Sequence, residues 1–243
     1  MPTTPKQLTT LLLACLLLTG CNSDYIIRST DYRSPDRFER EIQKFEKADA
    51  KAMPPKDAVL CVGSSSIRMW HGSLAEDLEP LTVIGRGFGG SNTNDLLYYA
   101  DRIVINYKPR AVMIYEGDND IAQGVKPVAI VATHKQLLNK IKRDLPGCRV
   151  YILAVKPSPK RWKFWAKMQS VNESLAELAD ERDNVTFIDI ASPMIGRDGQ
   201  PRAELYIKDD LHLSQAGYKL WRDTVRPILV EAERKHEQPR ASE

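Results

Sequence analysis

Ala58-Val59-Leu60-Cys61-Val62-Gly63-Ser64-Ser65-Ser66-Ile67-Arg68 is the stretch on which the fold turns. Its first five residues are apolar without a break, as suits a strand covered on both faces. A glycine and three serines follow, which reads as a strand-to-helix turn. Four further apolar runs repeat the theme: Leu81 to Ile84, Ala111 to Tyr115, Arg149 to Val155 and Val185 to Ile190. Helical periods lie between them, at about 94–107, 127–144 and 166–182, with a last one at about 214–235. Strands alternating with helices in series predict an α/β fold, a three-layer α/β/α sandwich around a five-stranded parallel sheet with right-handed crossovers. Ahead of the first strand, residues 36–51 place Phe38, Ile42 and Phe45 on one helical face, and Met53-Pro54-Pro55 stops that helix.

The chain has 243 residues, room for one domain of ordinary size, with 42% hydrophobic and 28% charged residues. Those values fit a globular chain and exclude a disordered, collagen-like or polytopic membrane one. The formal net charge of +3 gives no basic excess of the kind a dedicated nucleic-acid binder shows. Four cysteines are too few for a disulfide scaffold. Cys61 and Cys148 lie in or beside apolar runs and read as buried free thiols; a disulfide between them would need adjacent strands.

The N-terminus reads as an address. Residues 11–18 (LLLACLLL) follow a head with one charge, Lys6, and are too short to span a bilayer as a mature helix. Leu18-Thr19-Gly20-Cys21 resembles the lipobox of bacterial lipoproteins, where cleavage leaves a lipidated cysteine as the new N-terminus. The expected organisation is a signal peptide at 1–20, then lipidated Cys21 with a tether and helix to residue 50. A catalytic domain follows at 51–236 and a polar tail at 237–243. The resemblance implies a cell-envelope protein held to a membrane through Cys21. Asn22 favours the outer membrane, facing the periplasm, in a Gram-negative source.

Parallel α/β sheets work beyond the carboxyl ends of their strands. Four polar blocks fall there. Gly63 to Arg68 follows the first strand. Gly85-Arg86-Gly87-Phe88-Gly89-Gly90-Ser91-Asn92 follows the second, and Glu116-Gly117-Asp118-Asn119-Asp120 the third. Asp209-Asp210-Leu211-His212 precedes the last helix. Acyl transfer needs a nucleophile, a base, a group to orient the base, and donors for an oxyanion. A serine at the turn, His212, Asp209 three residues before it, the Gly90 N–H and the Asn119 amide offer those types. His212 is one of four histidines; His134 falls mid-helix and His236 in the charged tail.

Taken in order, these blocks resemble the SGNH (GDSL-like) hydrolase superfamily, from about Val59 to Tyr218. The resemblance implies the flavodoxin-like fold of that family and a serine ester hydrolase. It makes Ser65 the nucleophile and Asp209 and His212 the rest of a triad. The Ser65 N–H, Gly90 and Asn119 become the oxyanion hole. Gly117-Asp118-Asn119-Asp120 keeps the family's GxND pattern. Ser64 stands where the family usually has Asp, and Gly85 where many members have Asn, so the turn could instead present Ser64 or Ser66. No GxSxG elbow, HExxH or CxxC pair is present, and neither a metal nor another cofactor is implied.

Arg68, Lys156 and Trp162 are candidates for substrate contact. Lys156 to Trp165 (KPSPKRWKFW) is a basic, aromatic loop that should overhang the site, reading either as a recognition or membrane-docking element or as a solvated loop that closes a core edge. The expected activity is hydrolysis of acyl esters, acetyl included, of an envelope carbohydrate, a lipid or a small molecule. The alternative is a non-catalytic glycan- or lipid-binding module on the same fold. The sequence leaves the oligomeric state open.

Overall fold

The computed structural model describes residues 25–28 and 30–237. The signal-peptide and Cys21 lipidation expectations fall outside the described residues. Five strands form one parallel sheet in the order β2-β1-β3-β4-β5: β1 Val59–Gly63, β2 Val83–Gly87, β3 Ala111–Tyr115, β4 Arg149–Leu153 and β5 Val185–Ile188. The three central strands are buried almost throughout, which is why their sequence runs are continuously apolar.

Alternate residues of each strand face opposite layers. Leu60, Val62, Val112, Ile114, Val150 and Ile152 face the larger core. It is covered by α1 (Glu39–Asp49), α4 (Thr93–Tyr98), α5 (Ala100–Ile103), α7 (Pro127–Asp144) and α8 (Trp165–Asp180). Cys61, Met113, Tyr151 and Leu153 face the other layer, made by α2 (Ser65–Trp70), α3 (Leu74–Asp77) and α9 (Gln215–Glu233). The short α6 (Asp118–Ala122) follows β3. Ile42, on the predicted apolar face of α1, is fully buried in the larger core. Cys61 and Cys148 are buried free thiols, and β3 separates β1 from β4.

Two expectations need correction. The second strand is Val83–Gly87, not Leu81–Ile84, so Gly85, Arg86 and Gly87 belong to the sheet rather than to a loop. Glycines read as loop, but here α2 crosses β2 so closely that a Cβ on Gly87 would come 2.2 Å from the Arg68 backbone nitrogen. The helical pattern at 94–107 is broken into α4, α5 and a 3-10 turn at Ile105–Tyr107. Its apolar spacing survives the break because Leu96, Tyr99, Ala100 and Ile103 all still face the core.

Candidate active site

β1 and β3 lie side by side, β1 leading back to the edge strand β2 and β3 onward to β4. That change of direction leaves a crevice at their carboxyl ends. Gly63 ends β1 with φ +142°, and a Cβ there would sit 2.1 Å from the Tyr115 carbonyl oxygen. Only glycine fits that approach. The chain then turns through Ser64, the N-cap of α2, and Ser65 opens the helix. Ser64 and Ser66 are buried; the Ser66 carbonyl accepts a hydrogen bond from Tyr218 Oη at 2.9 Å. The turn therefore presents Ser65 outward, and the Ser65 N–H, at the first helical position, has no partner within its own helix.

Ser65 Oγ lies 2.9 Å from His212 Nε2, and His212 Nδ1 lies 2.5 Å from Asp209 Oδ2. Ser65, just after the end of β1, and the Asp209–His212 turn, 147 residues further along the chain, thus form one hydrogen-bonded line. The other oxygen of Asp209 accepts the backbone N–H groups of Leu211 at 3.0 Å and His212 at 2.9 Å. Burial pushes the Asp209 carboxyl up, but the hydrogen bonds from His212 and Leu211 outweigh it and hold the group well below the usual carboxylate range. Asp210, the other acid in this turn, adopts φ +57° and takes no part in the line.

Gly90 and Asn119 come from the segments that follow β2 and β3. Gly90 is exposed, in the loop that leaves β2. Ser91 braces this loop by donating from Oγ to the buried Glu116 carboxylate at 2.5 Å. Asn92 and Asp95 form a reciprocal capping box that starts α4. Asn119 is buried; its amide nitrogen donates to the Ser91 carbonyl at 2.8 Å, so one N–H stays unused in that bond. Glu116 is fully buried, and burial, with Asp120 nearby, pushes its carboxyl well above the ordinary range. The Asp120 carboxyl accepts the Thr93 N–H at 3.0 Å and anchors α4 to α6.

The three substrate-contact candidates divide. Arg68 is exposed, and its guanidinium lies against Gly89, one residue from Gly90. With Arg37, Phe38, Arg40, Glu41 and Gly89 it lines a recess of about 200 Å³. Trp162 is half-buried and stacks on Trp165, with ring centroids 5.8 Å apart. Lys156 corrects the expectation: it is 1% exposed and points inward, donating to the Leu211 carbonyl at 2.8 Å. A lysine in a basic loop reads as solvated, yet this one is spent on the turn that carries His212. Sequence reasoning also gave no role to Arg161, which sits 2.9 Å from Asn119 Oδ1 and 2.8 Å from Asp118 Oδ2. The only signal was its place in a loop predicted to lie at the site. Among the described residues no group of three or more His, Cys, Asp or Glu side chains is placed to hold a metal ion.

The model of one family, the GDSL-like lipase/acylhydrolase family, matches residues 57–220. Comparison with curated proteins finds no match. Among solved structures, a GDSL-like lipase from Bacteroides thetaiotaomicron is similar at TM-score 0.69 and 21% identity, covering 79% of this chain and 98% of that one. A carbohydrate esterase family 3 protein from Talaromyces cellulolyticus gives 0.59 and 16%, covering 73% and 98%. A variant of an acetyl-xylooligosaccharide esterase from Geobacillus Stearmophilus gives 0.59 and 16%, covering 78% and 98%. At these identities the likeness is one of fold.

Proposed function

The chain belongs to the GDSL-like lipase/acylhydrolase family and is an ester hydrolase of that kind; from this premise we propose that Ser65, His212 and Asp209 are its catalytic triad. The observation that carries the reading is the unbroken line Ser65 Oγ–His212 Nε2 and His212 Nδ1–Asp209 Oδ2, at 2.9 and 2.5 Å.

Ser65 Oγ attacks the acyl carbonyl carbon as His212 Nε2 takes its proton. Asp209, held ionised by its backbone donors, keeps the Nδ1–H in place and balances the imidazolium that forms. The carbonyl oxygen becomes an oxyanion that meets the Ser65 N–H, the Gly90 N–H and the spare Asn119 N–H. Collapse breaks the ester C–O bond, and His212 returns the proton to the leaving alcohol. Water then attacks the acyl-Ser65 ester with His212 again as base, releasing the acid and restoring Ser65.

The substrate we propose is an acyl ester, acetyl included, of an envelope carbohydrate, a lipid or a small molecule. One observation favours the carbohydrate: the half-buried Trp162–Trp165 stack next to Arg161 suits a sugar ring. We also propose that the mature protein is lipidated at Cys21 and held at the envelope membrane. No helix of the described residues is long and apolar enough to cross a membrane.

The test is release of 4-nitrophenol from its acetate, butyrate and octanoate esters by residues 22–243, with Ser65→Ala beside it. Turnover by the parent and loss of several orders of magnitude in the variant is the expected result. Equal rates would remove Ser65 from the mechanism. A folded parent inert toward every ester, and toward acetylated glycans, would favour a binding module.

A further inference from the structure

The loop after β4 joins the turn that carries His212 to the start of α6. Lys156 Nζ donates to the Leu211 carbonyl at 2.8 Å, and the Lys160 N–H donates to the Asp210 carbonyl at 3.0 Å. Tyr206 Oη donates to the Pro157 carbonyl at 2.8 Å. These bonds fasten the loop to the turn that carries Asp209 and His212. At its far end Arg161 reaches the first turn of α6, where Nη2 donates to Asn119 Oδ1 at 2.9 Å and Nη1 pairs with Asp118 Oδ2 at 2.8 Å. Lys156 Nζ stands 3.6 Å from the same Asp118 oxygen. Lys156, Arg161 and Asp118, all at least five-sixths buried, thus form one ion cluster, and Arg161 is its contact with the Asn119 amide.

We propose that Arg161 is a positioning residue for the oxyanion hole, setting which way the Asn119 amide faces and strengthening its N–H as a donor. The proposal rests on the reading of Asn119 as an oxyanion donor given above. A primary amide has two faces of opposite hydrogen-bonding character, one accepting and one donating. Its two neighbours here agree on the orientation. The Ser91 carbonyl can only accept, and it receives Asn119 Nδ2 at 2.8 Å. Arg161 can only donate, and it faces Oδ1. Turning the amide over would set two acceptors together on one side and two donors on the other. Without Arg161, only the Ser91 bond opposes that turn. The guanidinium itself is fixed by Asp118, so it holds Oδ1 in one place. It also draws electron density toward Oδ1, which makes the free N–H a better partner for a developing oxyanion in a buried setting. Asp118, the unassigned acid of Gly117-Asp118-Asn119-Asp120, gains a reason from this arrangement: it anchors the arginine that orients its neighbour.

The test uses Arg161→Met, which keeps the length and removes the donors, and Arg161→Lys, which restores one charged donor. Active sites are titrated with a fluorophosphonate so that rates count only competent molecules. Each protein is assayed on 4-nitrophenyl acetate and on its thiono analogue, whose C=S sulfur is a poor hydrogen-bond acceptor and gains little from oxyanion donors. A misplaced donor group costs about 10- to 100-fold in rate, so Arg161→Met should lose that much kcat on the oxo ester with KM nearly unchanged. Its preference for the oxo over the thiono ester should shrink by the same factor, and Arg161→Lys should recover part of both. A purely structural loss would lower both esters together and leave the ratio alone. Parental kcat and a parental oxo-to-thiono ratio in Arg161→Met, with Ser65→Ala inert, would overturn the proposal while the triad stands. Full activity in Ser65→Ala would overturn the triad reading, and the oxyanion assignment with it.

Discussion

Asp209 touches no substrate atom in the mechanism, yet its loss should be nearly as costly as that of the base. It fixes the His212 tautomer through Nδ1 and is itself fixed by the Leu211 and His212 N–H groups. In Asp209→Asn the amide can present its NH2 to Nδ1, which leaves the proton on Nε2, the wrong nitrogen for accepting one from Ser65. Steady-state assays on 4-nitrophenyl acetate should show kcat reduced by about 10³- to 10⁴-fold with KM little changed; a loss under tenfold would mean that another group orients the ring. At this scale the sequence was informative where a residue type is scarce. With four histidines, His212 stood out, and Asp209 lay at the right spacing. Ser65 was separable from Ser64 and Ser66 only by analogy; in the structure both neighbours turn inward. Arg161 and Lys156 were not legible, because their partners are 42 and 55 residues away and a charged loop gives no local sign of being folded inward.

Elements carry the next expectations. α2, which opens with Ser65, packs closely on β2 across Gly87. Gly87→Ala would drive a Cβ against the Arg68 backbone, one turn from Ser65. Such overpacking costs about 1–3 kcal/mol. The melting temperature should fall by roughly 2–4 °C for each of these kcal/mol, and activity per folded molecule should fall as well. Unchanged melting and activity would mean that the two elements have room to separate. The same crowding explains why the sequence misplaced β2: Gly85 and Gly87 are packing residues that look like turn residues. The long helices α7, α8 and α9 were legible through their apolar period, whereas α2, α3 and α6, four to six residues each, hold too few turns to show one.

A second expectation concerns the tie between α6 and α4. Burial lifts the Asp120 carboxyl from its ordinary 3.8 to about 6, against the pull of its Thr93 bonds. A raised carboxyl binds more protons folded than unfolded between these values, so stability is greatest at the acid end and falls as pH rises through the window. A rise from 3.8 to about 6 corresponds to about 3 kcal/mol. Melting curves from pH 4 to 7 should therefore show Asp120→Asn gaining on the parent as pH rises; a constant difference would mean that Asp120 does not titrate in that range.

The whole molecule is one sheet with two packed faces, and the site sits where β1 and β3 part. The order of strands and helices fixed that location before any side chain was placed, which is why the four polar blocks could be assembled from their positions after apolar runs. What pattern could not supply was depth. Trp70 of α2, Tyr115 at the end of β3, and Tyr218 and Trp221 of α9 pack as one aromatic cluster, tilted or edge to face, with centroid separations of 4.8–6.2 Å. At this scale the Leu18-Thr19-Gly20-Cys21 segment makes its own prediction. Expressed in a Gram-negative bacterium and grown with radiolabelled palmitate, the full chain should take up label and sediment with membranes. Cys21→Ser should do neither. Label on the variant would discard lipidation at that residue.

A nucleophilic Ser65 can be captured covalently. The protein is treated with a fluorophosphonate, its intact mass is measured, and the modified peptide is sequenced by tandem mass spectrometry. A single adduct on Ser65 is expected, formed rapidly in the parent, greatly slowed in His212→Gln and absent in Ser65→Ala. An adduct on Ser64, Ser66 or any other residue, or a folded parent that remains unmodified, would contradict it.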